Sequence, residues 1–377
     1  MMNKSLLTLS LVAALSATSI NAVAQDKNTP HVLMVLSSYG EMGADGSLSK
    51  PGFEFDELSK AYAVFKQNSI KVTLASPKGG EPLADKFDKN KPYNQAYSND
   101  TTAMAQLKNT KRLSELEPSQ YDAVFVVGGK GPMFDLHDSK PLQAIIRDIY
   151  VNNGVIGAVC HGPAALVDVK LENGEYLIAG KRVNGFTNEE EAAFGKKWTK
   201  QFPFLLEDKL IERGASFVQD GLMLNQVSID GQLITGQNPF STVDTAKAMV
   251  AALGLTVSEL PRFKDDESIL LVEQFFSDSS KAKARYLADK SSFDPMLLGI
   301  SGLYQAQHAQ TAHQLAVAIE LMQLTLADID HPMLYEALVN AQLKLNDVSG
   351  AKSTIKAALK KHGTAESLIA LKEKVYG

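Results

Sequence analysis

The sequence contains a single cysteine, Cys160, in 377 residues, which excludes any disulfide within the chain. A lone cysteine is either a small buried hydrophobe or a functional thiol. No basic block and no interleaving of aromatic with basic residues occurs, and the net charge is -5, so nucleic acid is not an expected partner. The glycines of Gly128-Gly129-Lys130-Gly131 do not make the G-x-G-x-x-G of a dinucleotide site, and no G-x-S-x-G marks a serine elbow. His31 and His137 lack ligand spacing to another His or Cys, and His308 and His313 are five apart, on different sides of a helix. The apolar run Leu6 to Ile20 is too short and too rich in Ser and Thr for a membrane span.

What that run does resemble is an export signal. Lys4 supplies a positive start and Ala22-Val23-Ala24 the small residues a signal peptidase needs, with no following cysteine for lipid attachment. The expectation is a signal over residues 1–24, cut after Ala24, and a mature chain acting in a periplasm or secreted, with no membrane contact once the signal is gone. In such an oxidising compartment an unpaired cysteine is conspicuous.

The rest of the chain, 45% hydrophobic and 21% charged, has the length of two domains. Apolar strand-like runs at His31–Ser37, Ile70–Ala75, Ala123–Val127 and Val155–Val159 alternate with amphipathic helical stretches at 54–68 and 141–151. Further helices are expected at 203–213, stopped by Gly214, and at 241–253, capped by Ser241 and stopped by Gly254, with a hairpin around Asp230-Gly231 between them. Residues 78–99, rich in Lys, Asp, Asn and Pro, read as a long irregular loop. The alternation predicts an α/β domain over 30–258, a parallel sheet sandwiched by helices. Beyond Pro261 strand patterns vanish, and 262–377 reads as all-α. Residues 335–363 fit one tetratricopeptide helix-turn-helix unit with its turn at Asn346-Asp347, and a small irregular bundle fits as well. Either suits contact with a protein partner.

The chemistry concentrates in Gly157-Ala158-Val159-Cys160-His161-Gly162-Pro163. A buried strand delivers a cysteine to a turn of small residues with a helix expected behind it, which exposes the sulfur at the carboxyl edge of the sheet. A helix N-terminus beneath a thiol favours thiolate, so a thiol pKa at or below neutrality is expected. His161 is the nearest base, histidine being the residue type that titrates near neutral pH. The N–H groups of His161, Gly129 and Lys130 form the expected oxyanion hole, since two neighbouring strands end at one edge.

VCHGPAAL, YDAVFVVGG, ASPKGG, GFTNEEE, TGQNP and the segment 51–65 together resemble the ThiJ/PfpI superfamily, which is class I glutamine amidotransferase-like. They look most like its large branch of glyoxalase III and heat-inducible chaperones, over about residues 30–254. The resemblance implies a flavodoxin-like fold and a cofactor-independent cysteine enzyme converting 2-oxoaldehydes such as methylglyoxal to 2-hydroxy acids in stress protection. It implies a catalytic glutamate five residues after Gly52, which is Glu57. It also implies an acid orienting His161, with Glu191 the best match by spacing and Glu190 next. Dimers are common among such relatives, so a homodimer is one implied arrangement. Two departures stand out: Lys60-Ala61 where the branch has His-Pro, and Gly-Gly-Lys-Gly where it has Gly-Gly-His-Gly. Some relatives hold a metal with histidines there, so no metal is expected here. Lys130 adds positive charge that favours thiolate or an anionic substrate. The same site would also serve an amidase, peptidase or deglycase. A periplasmic holdase chaperone with Cys160 as redox sensor is the reading from another class.

Overall fold

A computed structural model describes residues 29–377; the export signal expected over 1–24 lies outside them. The apolar runs form a seven-stranded sheet. In spatial order its strands are Val227–Asp230, Leu233–Gly236, Val155–Val159, Ala123–Val126, His31–Val35, Lys71–Ser76 and Lys111–Arg112. All pairings are parallel except the hairpin of the first two, whose turn includes Gly231. Alternate residues of His31–Val35 feed opposite cores, Val32 and Met34 on one face and Leu33 and Val35 on the other. This explains why that strand reads as an unbroken apolar run. The helices Phe55–Gln67 and Thr242–Ala252 cover the first face, and Lys140–Val151 covers the second. This is the expected α/β sandwich.

Three local expectations are corrected. Residues 78–99 are not all irregular: Pro92–Asn99 is a helix, continued by Thr101–Lys108. Pro92 stands at its first turn, Asp100 caps the second helix, and Tyr93, Asn94 and Tyr97 are buried. A polar helix that buries three residues carries too weak a periodicity to show. Ser241 is not the side-chain cap of Thr242–Ala252, because its Oγ accepts the Gln226 N–H at 3.1 Å instead. The segment after Cys160 is a five-residue 3-10 turn, Gly162–Leu166, rather than an α-helix.

After the sheet the chain is helical: Lys264–Ala288, broken at Asp278, then Pro295–His308, Ala312–Thr325, Pro332–Lys344, Val348–His362 and Glu366–Tyr376. Asn346 takes a positive φ of 63° and Asp347 caps the next helix, so the expected turn at 346–347 joins two helices. This region is tied to the sheet domain by a buried cluster. Lys60 Nζ, on Phe55–Gln67, bonds Asp265 at 3.0 Å and Asp266 at 2.5 Å. Tyr93 Oη donates to Asp265 at 2.7 Å, and Lys60 Nζ lies 4.7 Å from the centre of the Tyr93 ring.

Candidate active site

The strands Ala123–Val126 and Val155–Val159 run side by side, Val126 opposite Ala158, so both leave the sheet at one edge. There Cys160 takes φ 60°, the left-handed region that costs a non-glycine residue about 1–2 kcal/mol. Strain of that size at one cysteine marks a turn held by its surroundings. Its neighbours must be small. A Cβ on Gly162 would stand 2.4 Å from the Val126 carbonyl oxygen. A Cβ on Gly128 would stand 2.7 Å from Glu57 Oε2 and 2.8 Å from Cys160 Cβ.

His161 turns its ring to the sulfur, with Nδ1 3.4 Å from Sγ. Its Nε2 bonds Glu191, which places the ring proton on Nε2 and leaves the Nδ1 lone pair toward the thiol. Phe186 and Phe202 pack on the imidazole, with centroids at 4.5 and 5.7 Å. Glu191 opens a π-turn, Glu191–Gly195, a distortion that often sits at functional sites. Thr199 Oγ1 donates to its second oxygen at 2.8 Å. Burial pushes the Glu191 pKa up, but the hydrogen bond from His161, with that of Thr199 and the Lys130 charge, outweighs it and holds the carboxyl below its usual value.

Glu190 is not brought to His161. It completes a capping box with Thr187, and its Oε1 accepts from Met223 N–H, Gln237 Nε2 and Asn238 Nδ2 at 2.9–3.0 Å. It secures the turn on which Glu191 stands.

Glu57 is fully buried beside the sulfur. Its Oε2 accepts the Gly128 N–H at 2.7 Å, and Oε1 has no conventional partner among the described residues. Burial, and then the charge of Glu54, push the Glu57 pKa well above the carboxylate range, against the Gly128 N–H and the Cys160 thiol. Burial therefore favours the protonated form of Glu57, and Oε1 is the oxygen left to carry that proton. The segment that delivers it is stitched to the glycine turn: Glu54 N–H donates to the Gly128 carbonyl at 3.1 Å and Gly131 N–H to that of Gly52 at 2.8 Å.

The thiol departs from expectation. Burial, and then a Glu57 charge, push the Cys160 pKa up rather than down. A 3-10 turn of five residues supplies little of the dipole that an α-helix would. What favours thiolate instead is the Gly129 N–H, which faces the sulfur, and the Lys130 ammonium. The Glu57 contribution vanishes once that carboxyl holds its proton. Burial is the largest influence on Glu54, Asp85, Glu191 and Cys160, raising each, and Lys130 pulls each back; Glu54 still stands at about 7.

Of the expected oxyanion donors, the main-chain N–H groups of Gly129 and His161 make no backbone hydrogen bond among the described residues. Lys130 adds its charge to the site, lowering both the Asp85 carboxyl and the Cys160 thiol against the effect of burial. Thr199, Asp85, Phe186 and Phe202 escaped the sequence reading, since nothing in their spacing points to Cys160. No cluster of three or more His, Cys, Asp or Glu placed to hold a metal occurs among the described residues.

A glutathione-independent glyoxalase of Schizosaccharomyces pombe is 33% identical over 243 residues, 62% of this chain and 100% of that protein. Glyoxalase 3 of Candida albicans is 34% identical over 241 residues, 59% of this chain and 97% of the relative. The crystal structure of glyoxalase III from Candida albicans superposes with a TM-score of 0.55 at 32% identity, covering 59% of this chain and 97% of that one. The Francisella tularensis Rapid Encystment Protein of 24 kDa gives 0.56 at 36% identity, covering 60% and 99%. The DJ-1/PfpI family pattern matches residues 48–252, more than half of the sequence, and the chain belongs to the DJ-1/PfpI family.

Proposed function

We propose that this protein is a glutathione-independent glyoxalase, converting methylglyoxal and related 2-oxoaldehydes to 2-hydroxy acids. The observation that carries the reading is the convergence of Cys160, His161, Glu191 and the buried Glu57 on one point. Relatives named as glutathione-independent glyoxalases or as glyoxalase 3, matched over nearly their whole length, support it.

The Cys160 thiolate adds to the aldehyde carbon; the S–C bond forms and the carbonyl π pair becomes an alkoxide. Glu57 supplies the proton that makes it a hemithioacetal, while the Gly129 and His161 N–H groups steady the charge in transit. His161 Nδ1 removes the C–H proton of that carbon while the neighbouring ketone oxygen gains a proton, giving an enediol. His161 then returns its proton to the adjacent carbon as the first hydroxyl gives up its own, and Glu57, ionised by the first step, carries this proton between the two oxygens. The product is a thioester of the 2-hydroxy acid, which one water hydrolyses to release the acid and restore the thiol. Glu191 holds the imidazole in the tautomer and orientation both transfers need.

Purified protein is expected to turn methylglyoxal into one enantiomer of lactate in buffer free of glutathione, read by a chiral lactate assay. Lactate that appears only with glutathione, or as a racemate, would remove the reading. The signal pattern in residues 1–24 supports action outside the cytoplasm, as part of defence against reactive aldehydes.

A further inference from the structure

The helices after Lys264 lie beyond the relatives, whose nearly full lengths are matched by about 60% of this chain. They nevertheless reach the site from two sides. Asp265 and Asp266 grip Lys60, one turn along the helix that carries Glu57. Independently, the helix Pro295–His308 lies against the segment that carries Glu191. The Tyr304 ring meets Phe194 edge-on, with centroids 4.8 Å apart and planes at 68°. His308 Nδ1 stands 3.1 Å from Glu189 Oε1. Gln305 Nε2 donates to the Leu222 carbonyl at 2.9 Å.

These contacts bracket one element. Phe194 is inside the π-turn Glu191–Gly195, Glu189 precedes Glu191 by two residues, and Leu222 adjoins Met223, whose N–H holds Glu190. Tyr304 and His308, four apart, share a helix face, so one rigid surface meets both ends of the turn. A π-turn is a sparsely used backbone arrangement, and its persistence needs support from outside. Thr199 supports the Glu191 carboxylate, but not the backbone that aims it.

We infer that the helix Pro295–His308 is a positioning element of the active site, with Tyr304 and His308 as positioning residues that keep Glu191 on His161. The inference rests on the proposed roles of Cys160, His161 and Glu191. It gives the helical region a task in the chemistry of its own chain.

The test uses the full-length chain with Tyr304→Ala, Tyr304→Phe, the double change His308→Ala with Gln305→Ala, and Glu191→Gln for comparison. Two readouts are taken: kcat and KM for methylglyoxal, and the rate of Cys160 alkylation by iodoacetamide across pH. Cys160 is the sole cysteine, so alkylation reports this site whatever the substrate. Tyr304→Ala is expected to lower kcat by ~10–100-fold with KM nearly unchanged, the scale of a misplaced catalytic group. It should also move the alkylation profile in the same sense as Glu191→Gln, while Tyr304→Phe, which keeps the ring edge, stays close to wild type. The double change should act in the same direction, and it keeps the test open if Tyr304→Ala does not fold. A folded Tyr304→Ala with unchanged kcat and unchanged alkylation profile would overturn the inference. So would an equal loss in Tyr304→Phe. If the wild type does not turn over methylglyoxal, the substrate reading fails alone and the alkylation profiles still decide this one.

Discussion

Cys160→Ala is expected to lose at least ~10³-fold in lactate formation while folding normally, since removing a nucleophile leaves only binding and the remaining proton donors to act. His161 and Glu57 stay in place, but without sulfur no hemithioacetal forms, and His161 has no carbon held within reach of Nδ1. Cys160→Ser keeps a polar atom and should do little better, because a serine hydroxyl is not ionised by the Gly129 N–H and Lys130 that assist the thiol. Stability makes the result readable. The side chain is small and buried, so Cys160→Ala should change unfolding free energy by no more than ~1 kcal/mol. Cys160→Gly removes more atoms, yet it relieves the strain at φ 60° and should be at least as stable as the alanine variant. An inactive glycine variant that unfolds no more readily than the alanine variant would show that the strained backbone is retained for the sulfur. Turnover surviving in Cys160→Ala would take this residue out of the mechanism.

The sheet and elbow were legible because local sequence determines both. Short unbroken apolar runs rich in β-branched residues and bounded by turn residues fit strands covered on two faces, and Cys160 between Val159 and His161-Gly162 has the bulk pattern of a tight strand exit. Glu57 was legible only through resemblance. On the helix Phe55–Gln67 it reads as a solvated acid, and its burial comes from the Gly128 turn, 71 residues away. A local signal separates Glu190 from Glu191. Thr187-x-x-Glu190 is a capping box, which commits Glu190 to the helix start and leaves Glu191 for His161. The π-turn that aims Glu191 has no signature of spacing. The thiol pKa departs from the sequence expectation for a related reason: Gly162-Pro163 after the cysteine suggests a helix start, but local sequence does not separate a full α-helix from a 3-10 turn. Lys60 was noticed as a departure from the family pattern, and its purpose was hidden because its partners lie 205 and 206 residues later.

Lys60→Met is expected to destabilise the protein by ~3–5 kcal/mol at pH 7, because it takes the ammonium from between two buried carboxylates and strands Asp266 without a cation. Lys60 is 2% exposed, and its side chain contacts Asp265 and Asp266, which are 12% and 8% exposed, so solvent screens the cluster little. Burial disfavours the Lys60 charge, but the two carboxylates outweigh it and hold its pKa above the usual lysine value. Burial pushes Asp266 up to about 6 even with Lys60 present, whereas Lys60 and Tyr93 outweigh burial at Asp265 and keep it below its usual value. In the variant both carboxyls lose Lys60. Asp265 keeps Lys91, whose Nζ stands 3.8 Å away, and the Tyr93 hydroxyl, whereas Asp266 keeps no cation and its folded-state pKa, already raised, moves further above the unfolded one. A carboxyl raised in the folded state costs stability while it is ionised, and the cost fades as pH falls through its raised value. Wild type, by contrast, loses the Asp265 contribution only as pH falls below the ordinary carboxylate range. The gap between variant and wild type should therefore be widest near neutral pH and should narrow toward pH 5, which denaturant titration at several pH values would measure. A gap that stays constant with pH would mean that lost packing, not stranded charge, causes the defect. The double change Asp265→Asn with Asp266→Asn in the Lys60→Met background should recover part of the loss, since neutral amides leave no charge to bury. Because Lys60 is on the helix that carries Glu57, the same cluster joins the stability of the helical region to the placement of an acid at the sulfur.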